Sequence, residues 1–136
     1  AIKERLLTSA HDCSDGGLAV ALAECCVMHD APADGSTPPW VGAAVRVPFP
    51  VRKDFALFGE DASRIVVSLP NANARRFTEL AQECGAPVIR LGVVGGDRLE
   101  IQGALSVPVA DLGKAWRDGI PSVLRRDAAP FSLSNA

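Results

Sequence analysis

The side chains able to do chemistry gather in two short stretches. The first, "HDCSDGGL" from His11 to Leu18, sets Asp12, Ser14 and Asp15 ahead of the pair Gly16 and Gly17. It runs directly into "LAVALAECCVM", which is apolar except for Glu24. A helix start carries unpaired N–H groups and a partial positive charge, so it takes either an oxygen cap or an anion. Ser14 or Asp15 can supply the cap, and the glycines admit a ligand or a second backbone close to the helix end. Asp12 is not needed for capping. A further carboxylate beside a glycine turn has the chemistry to hold Mg²⁺ together with water and phosphate. The pattern leaves two readings open: a capped, buried helix, or an anion site.

The second stretch, "LFGEDASRIVVS", places Glu60 and Arg64 around a turn, with Asp61 and Ser63 between them. Facing a cleft, Arg64 would pair with phosphate and Glu60 would accept from hydroxyls. Taken alone, the segment reads as a surface turn with a local Glu–Arg pair of little energetic weight. A third stretch, "GVVGGDRLEI", is rich in glycine but lacks phosphate-loop spacing and precedes no helix; a hairpin turn is expected there. His11, Cys13, Cys26 and His29 are soft metal-ligand types, yet they show no CxxC pair or compact His–Cys spacing. Cys13 and Cys26 lie in runs that read as buried, where cysteine acts as a small hydrophobe. Structural zinc is not expected. Neither histidine has a Ser, Cys or Asp at a recognisable triad spacing, so no hydrolase site is read here.

These stretches need a scaffold to place them. "AIKERLL" has helical composition and reads as the tail of an element beginning upstream, which suggests a piece of a longer protein. A short extended segment, "TSAHDC", leads into the glycine turn, and a buried helix follows from Leu18 to Met28. "HDAPADGSTPPW" is a loop by its prolines, glycine and aspartates. "VGAAVRVPF" reads as a strand and "RKDFALFGE" as a helical turn with Asp54 near its start. "SRIVVSL" reads as a strand with Ile65, Val67 and Leu69 on one face. "NANARRFTELAQECG" is an amphipathic helix that turns Phe77, Leu80, Ala81 and Cys84 inward; Asn71 or Asn73 can cap it, and Gly85 and Pro87 end it. "PVIRLGVVGG", "RLEIQG" and "ALSVPV" form three strands read as a meander. "DLGKAWRDGIPSVLRR" closes the domain as a helix capped by Asp111, with Leu112, Ala115 and Trp116 inward and a kink or restart at Pro121. Residues 1–127 are expected to form one domain and 128–136 a mobile tail. Helices interleave with strands, but the last strands come as a run. The expected fold class is therefore α+β, a mixed β-sheet with helices packed on one face.

The bulk numbers exclude several roles. A chain of 136 residues with 48% hydrophobic and 22% charged residues suits one globular domain. Its net charge of -2 gives no electrostatic footprint for nucleic acid or an anionic membrane. No apolar run approaches the roughly 20 residues of a membrane span. Four cysteines, two of them adjacent, fit a reduced, cytoplasmic location better than a disulfide framework.

Four segments in this order and spacing, "SAHDCSDGGLAVALAE", "LFGEDASRIVVS", "LGVVGGDRLEI" and "VADLGKAWRDGIPSVL", resemble the C-terminal end of the phosphoribosylformylglycinamidine synthase subunit II family. The resemblance covers about Ala1 to Arg125. It implies an AIR-synthase-like C-terminal domain of an ATP-dependent ligase of purine biosynthesis. That family converts formylglycinamide ribonucleotide, ATP and ammonia into formylglycinamidine ribonucleotide, ADP and phosphate. ATP and Mg²⁺ serve the full-length enzyme, and no tightly bound cofactor is expected on this domain. The implied partners are the N-terminal portion of the same polypeptide, a glutaminase subunit that supplies ammonia, and a small third subunit. The chain matches the second of two similar α+β domains, the copy set apart from the family's catalytic site.

By position, Asp12 falls where the first copy carries a Mg²⁺-binding aspartate. Glu60 to Arg64 fall on its substrate-binding "ES" turn. Here Asp61 and Ala62 stand between Glu60 and Ser63, a departure from that turn. The resemblance thus implies a degenerate phosphate or substrate site at Ser14, Asp15, Gly16, Gly17, Glu60, Ser63 and Arg64, with Asp12 as the metal candidate and no catalytic residue. The alternatives are a working phosphate site at the same residues, a stand-alone nucleotide-binding or regulatory module, or a domain of another AIR-synthase-related ATP-dependent enzyme.

Overall fold

A computed structural model describes residues 1–28, 40–48 and 51–127. Most of the loop read at residues 29–40, His29 among them, and the tail read at 128–136 lie outside the described residues. In chain order the elements are β1 (Ser9–Asp12), α1 (Gly17–Val27), β2 (Ala43–Val45), α2 (Lys53–Phe58) and β3 (Ile65–Ser68). A 3-10 turn (Asn71–Asn73) then leads into α3 (Ala74–Glu83), followed by β4 (Gly92–Val94), β5 (Arg98–Ile101), β6 (Leu105–Pro108) and α4 (Val109–Asp127).

Strand alternation builds the main sheet. Its order is β4-β2-β5-β6, with β2 antiparallel to β4 but parallel to β5, and β5 antiparallel to β6. The sheet is therefore mixed, as expected. Register sets Ala43 beside Leu99 and Val45 beside Ile101. These four residues are buried, while Ala44 and Glu100 between them face solvent. That is the period-two pattern of a sheet with one covered face. Helix α1 covers it, burying Leu18, Ala19, Ala21, Leu22, Cys26 and Val27. It packs against β5 and also touches α2, α4, β1 and β3. Strands β1 and β3 form a separate antiparallel ribbon, with Ser9 opposite Ser68 and Asp12 opposite Ile65.

Several expectations change. The three late strands are not a meander, because β2 lies between β4 and β5. Instead of closing a hairpin, the turn at Gly95 and Gly96 exchanges backbone bonds of 2.8 Å with Gly42, which extends the β2–β4 ladder. Of these three strands, β5 and β6 pair as a hairpin. Val88 and Ile89 precede β4 and are exposed. In β3, Val66 packs on the core, whereas Ile65 is 65% exposed.

Neither Asn71 nor Asn73 caps α3; the Asn73 side-chain amide donates instead to the Leu6 carbonyl at 2.9 Å. Phe77 and Leu80 are half-buried, Ala81 is buried and Cys84 is exposed. Helix α3 ends as expected at Gly85, whose φ is 68°. Gly85 N–H donates to Gln82 and Ala86 N–H to Ala81, the paired bonds of a glycine C-terminal cap. Helix α4 begins at Val109, so Asp111 lies in its first turn, and it continues through Pro121. Proline removes one internal bond, but Ser122 adds a local one by donating its hydroxyl to the Gly119 carbonyl at 2.8 Å. Leu112 packs on the core, while Trp116 stays 52% exposed. The opening residues form a turn, not a helix, and Leu6 is buried just after it.

Candidate functional site at the start of the buried helix

The β1–β3 ribbon positions both polar stretches. The glycine turn leaves β1 after Asp12, and the Glu60–Arg64 turn enters β3 at Ile65, the residue opposite Asp12. One more backbone bond, from Cys13 N–H to the Arg64 carbonyl at 2.8 Å, carries the pairing past the strand ends. Two segments far apart in sequence thus meet at one end of the ribbon, beside the N-terminus of α1.

The helix start is not capped by Ser14 or Asp15. The N-cap position is Gly16, at φ 81°, and no side chain of its own turn caps it. With the cap residue in the left-handed region, Ser14 and Asp15 precede the cap and remain exposed. The Ser14 carbonyl accepts from Gly17 N–H at 3.0 Å. The oxygen at the helix start comes from across the fold: Gly16 N–H donates to Glu60 Oε1 at 3.0 Å.

Gly17 makes this approach possible. A Cβ there would lie 2.7 Å from the Gly59 carbonyl oxygen and 2.8 Å from the Phe58 carbonyl carbon. The end of α2 therefore presses directly on the start of α1. This is the close backbone approach expected at this glycine pair, and the approaching group is the chain itself.

Arg64 is partly buried. It donates to Asp61 at 3.4 Å and to the Ala56 carbonyl at 3.3 Å. Ser63 holds a left-handed φ of 66°, uncommon for a non-glycine residue, and its side chain is exposed. The Asp12 side chain is 77% exposed and lies 3.7 Å from His11 Nδ1. No group of three or more His, Cys, Asp or Glu able to hold a metal occurs among the described residues. Asp12 is therefore a single exposed carboxylate, and the described residues do not by themselves form a Mg²⁺ cage.

Cys13 and Cys26 are buried and Cys25 is half-buried. Burial pushes the Cys13 and Cys26 thiols up, and it pushes Cys25 up to about 11. Such groups stay protonated and unreactive near neutrality.

The sequence reading missed the contact between His11 and Glu24. His11 Nε2 lies 2.9 Å from Glu24 Oε2, joining β1 to α1, with both side chains about one-fifth exposed. A signal was present, since Glu24 is the lone charge on an apolar helix and a largely buried carboxylate needs a partner. Also missed was an apolar groove of about 380 Å³ between α1, the β5–β6 hairpin and α4. Val20, Phe58, Leu105, Leu112 and Trp116 line it, and Glu24 is its charged member.

Residues 1–103 match the family model described as AIR synthase related protein, C-terminal domain. The chain belongs to this family. Over 129 residues it is 80% identical to the phosphoribosylformylglycinamidine synthase subunit PurL of Anaeromyxobacter dehalogenans, covering 95% of this chain and 17% of that one. The PurL of a Nocardioides species is 39% identical over 119 residues, covering 88% of this chain and 14% of its own length. The AIR synthase C-terminal domain described here thus spans about a sixth of the length of these relatives.

Among solved structures, Thermotoga maritima PurL complexed with FGAR superposes with a TM-score of 0.62 at 24% identity. The match covers 82% of this chain and 19% of that one. The same protein complexed with ATP gives a TM-score of 0.62. These likenesses bear out the α+β fold of the AIR synthase C-terminal domain.

Proposed function

We propose that this chain is the C-terminal domain of a PurL-type synthetase, a ligase of purine biosynthesis that converts formylglycinamide ribonucleotide, ATP and ammonia into formylglycinamidine ribonucleotide, ADP and phosphate. The observation that carries the reading is the 80% identity to a PurL chain over nearly the whole sequence. In that reaction ATP activates the formyl amide oxygen and ammonia displaces phosphate. Charge developing on the transferred phosphoryl group needs Mg²⁺ and cationic side chains around it. Ammonia would come from a glutaminase subunit, with a small third subunit in the assembly, in the cytoplasm.

Within that enzyme the domain is mainly a support, and its own ligand site is degenerate. Glu60 faces the start of α1, Arg64 faces Asp61 and the Ala56 carbonyl, and Asp12 stands as a single exposed carboxylate. Neither the cation nor the carboxylate of the second stretch is left over for a substrate. What the domain offers is shape: a closed sheet-and-helix core and an apolar outer surface against which the remainder of the longer polypeptide packs.

A chimera tests the reading. The matching segment of the Anaeromyxobacter dehalogenans PurL is replaced by this chain, and synthesis of formylglycinamidine ribonucleotide is assayed with ammonia, ATP and Mg²⁺. Activity close to that of the parent is expected, and a folded but inactive chimera overturns the assignment. The chain by itself is expected to show no synthesis, and weak or no ADP binding by calorimetry. Micromolar ADP binding that Asp12→Ala abolishes would instead identify a working phosphate site.

A further inference from the structure

We propose that Glu60 is a built-in anion that closes the start of α1, so that this copy of the glycine turn is shut against phosphate by the chain's own carboxylate. The inference deepens the degenerate-site reading above and rests on it.

Helix α1 has no acidic residue in its first turn and no capping side chain from its own turn. Such a start keeps its unpaired N–H groups and partial positive charge until an oxygen arrives. The oxygen that arrives is Glu60 Oε1, 3.0 Å from Gly16 N–H and 44 residues away in sequence. A carboxylate in that place supplies the charge and acceptor atoms that a phosphate would supply.

The backbone fixes Glu60 there from both sides. On one side the Gly59 carbonyl rests against Gly17, in a space that any Cβ would fill. On the other, the Arg64 carbonyl is bonded to Cys13 N–H, and Ser63 takes a left-handed φ to make that return. Arg64, the cation that would otherwise attract an anion to this end, is turned towards Asp61 and the Ala56 carbonyl. An incoming phosphate would have to displace a carboxylate of its own sign and gain no free cation in exchange.

The test is thermal unfolding of the wild-type chain, Glu60→Ala, Glu60→Gln and the control Glu100→Ala, each in sodium chloride and in sodium phosphate of equal ionic strength. Glu100 lies on the solvent side of β5. In chloride, Glu60→Ala is expected to melt several degrees below wild type and below the control. Glu60→Gln, which keeps an acceptor without the charge, should fall between them. Phosphate is expected to restore at least half of the Glu60→Ala loss, while wild type and Glu100→Ala shift only by a common solvent offset.

Three results overturn the proposal. Glu60→Ala melting with the control means the carboxylate does not hold the helix start. A phosphate gain in wild type equal to that in Glu60→Ala means the turn is already open. A destabilised Glu60→Ala that phosphate does not help means Glu60 is a strut and nothing is shut out. None of these outcomes changes the activity of the PurL chimera, and an inactive chimera leaves these melting curves as they are, so the two readings fail separately.

Discussion

Cys84 is exposed at the end of α3, whereas Cys13 and Cys26 are buried and Cys25 is half-buried with its thiol pushed up to about 11. Native protein is expected to give one fast-reacting thiol with Ellman's reagent at neutral pH, and four after denaturation. Two or more fast thiols would contradict the packing of α1. Carboxylates make a second residue-scale prediction. Hydrogen bonds from Arg76 hold Glu4 below its ordinary 4.5, and those from Arg52 hold Asp54 below its ordinary 3.8. The folded chain therefore binds these protons less tightly than the unfolded chain does. The stability they contribute is complete above about pH 4.5 and is lost as the pH falls through their folded values. Both pairs are solvent-exposed, so the effect is small. Arg76→Ala is expected to lower the urea midpoint at about pH 6 and to match wild type near about pH 2. A gap that persists in acid would show that Arg76 acts through packing. Gly17→Ala makes a larger change, because its Cβ would meet the Gly59 carbonyl at 2.7 Å while φ stays at 68°. It is expected to cost about 1–3 kcal/mol in chemical denaturation.

Among the elements, the parallel pair β2–β5 supplies the innermost side chains. Leu99 and Ile101 are the most deeply buried large residues. Leu99→Ala is expected to cost about 2–5 kcal/mol, and Glu100→Ala, on the opposite face of the same strand, less than about 0.5 kcal/mol. Equal losses would mean that the strand is read in the wrong register. This alternation was legible in "RLEIQG", as was the apolar helix after Gly17, because periodicity is local. Which strands become neighbours was not legible. "LGVVGGDRLEI" has the composition of a hairpin turn, yet the partner of both flanking strands is β2, which lies much earlier in the chain. Capping failed for a similar reason. Ser14, Asp15, Asn71, Asn73 and Asp111 are all good caps by type, but a cap is decided by which oxygen reaches the N–H groups. At α1 that oxygen comes from Glu60, across the fold. The sequence put forward the candidate residues by type, while which of them meet depended on the β1–β3 ribbon.

Viewed as a whole molecule, the chain exposes many large apolar side chains. On α4, Trp116, Ile120, Val123 and Leu124 recur on one helical face and are each more than half exposed. Phe55 and Phe58 on α2 are exposed as well. Large apolar side chains gathered on one exposed helix face mark an interaction face. In the proposed synthetase it would pack against the rest of the polypeptide. Alone in water the chain is expected to self-associate, with a sedimentation coefficient that rises with concentration. Ile120→Glu should weaken this without lowering the melting temperature, since Ile120 is 75% exposed. A monomer at every concentration would count against that surface being an interface.

The placement of β2 between β4 and β5 has a consequence for how the chain reaches its structure. Ala43 and Val45 gain their parallel neighbours only when Leu99 and Ile101 exist, so the sheet's centre closes late along the sequence. A contact of that separation must first overcome the entropy of closing the long loop between its ends, which slows folding. On a ribosome, α1 and the β1–β3 ribbon would emerge with their apolar faces uncovered until β5 follows. A chain stopped before Arg98 is expected to give circular dichroism without a cooperative thermal transition, however complete its glycine turn.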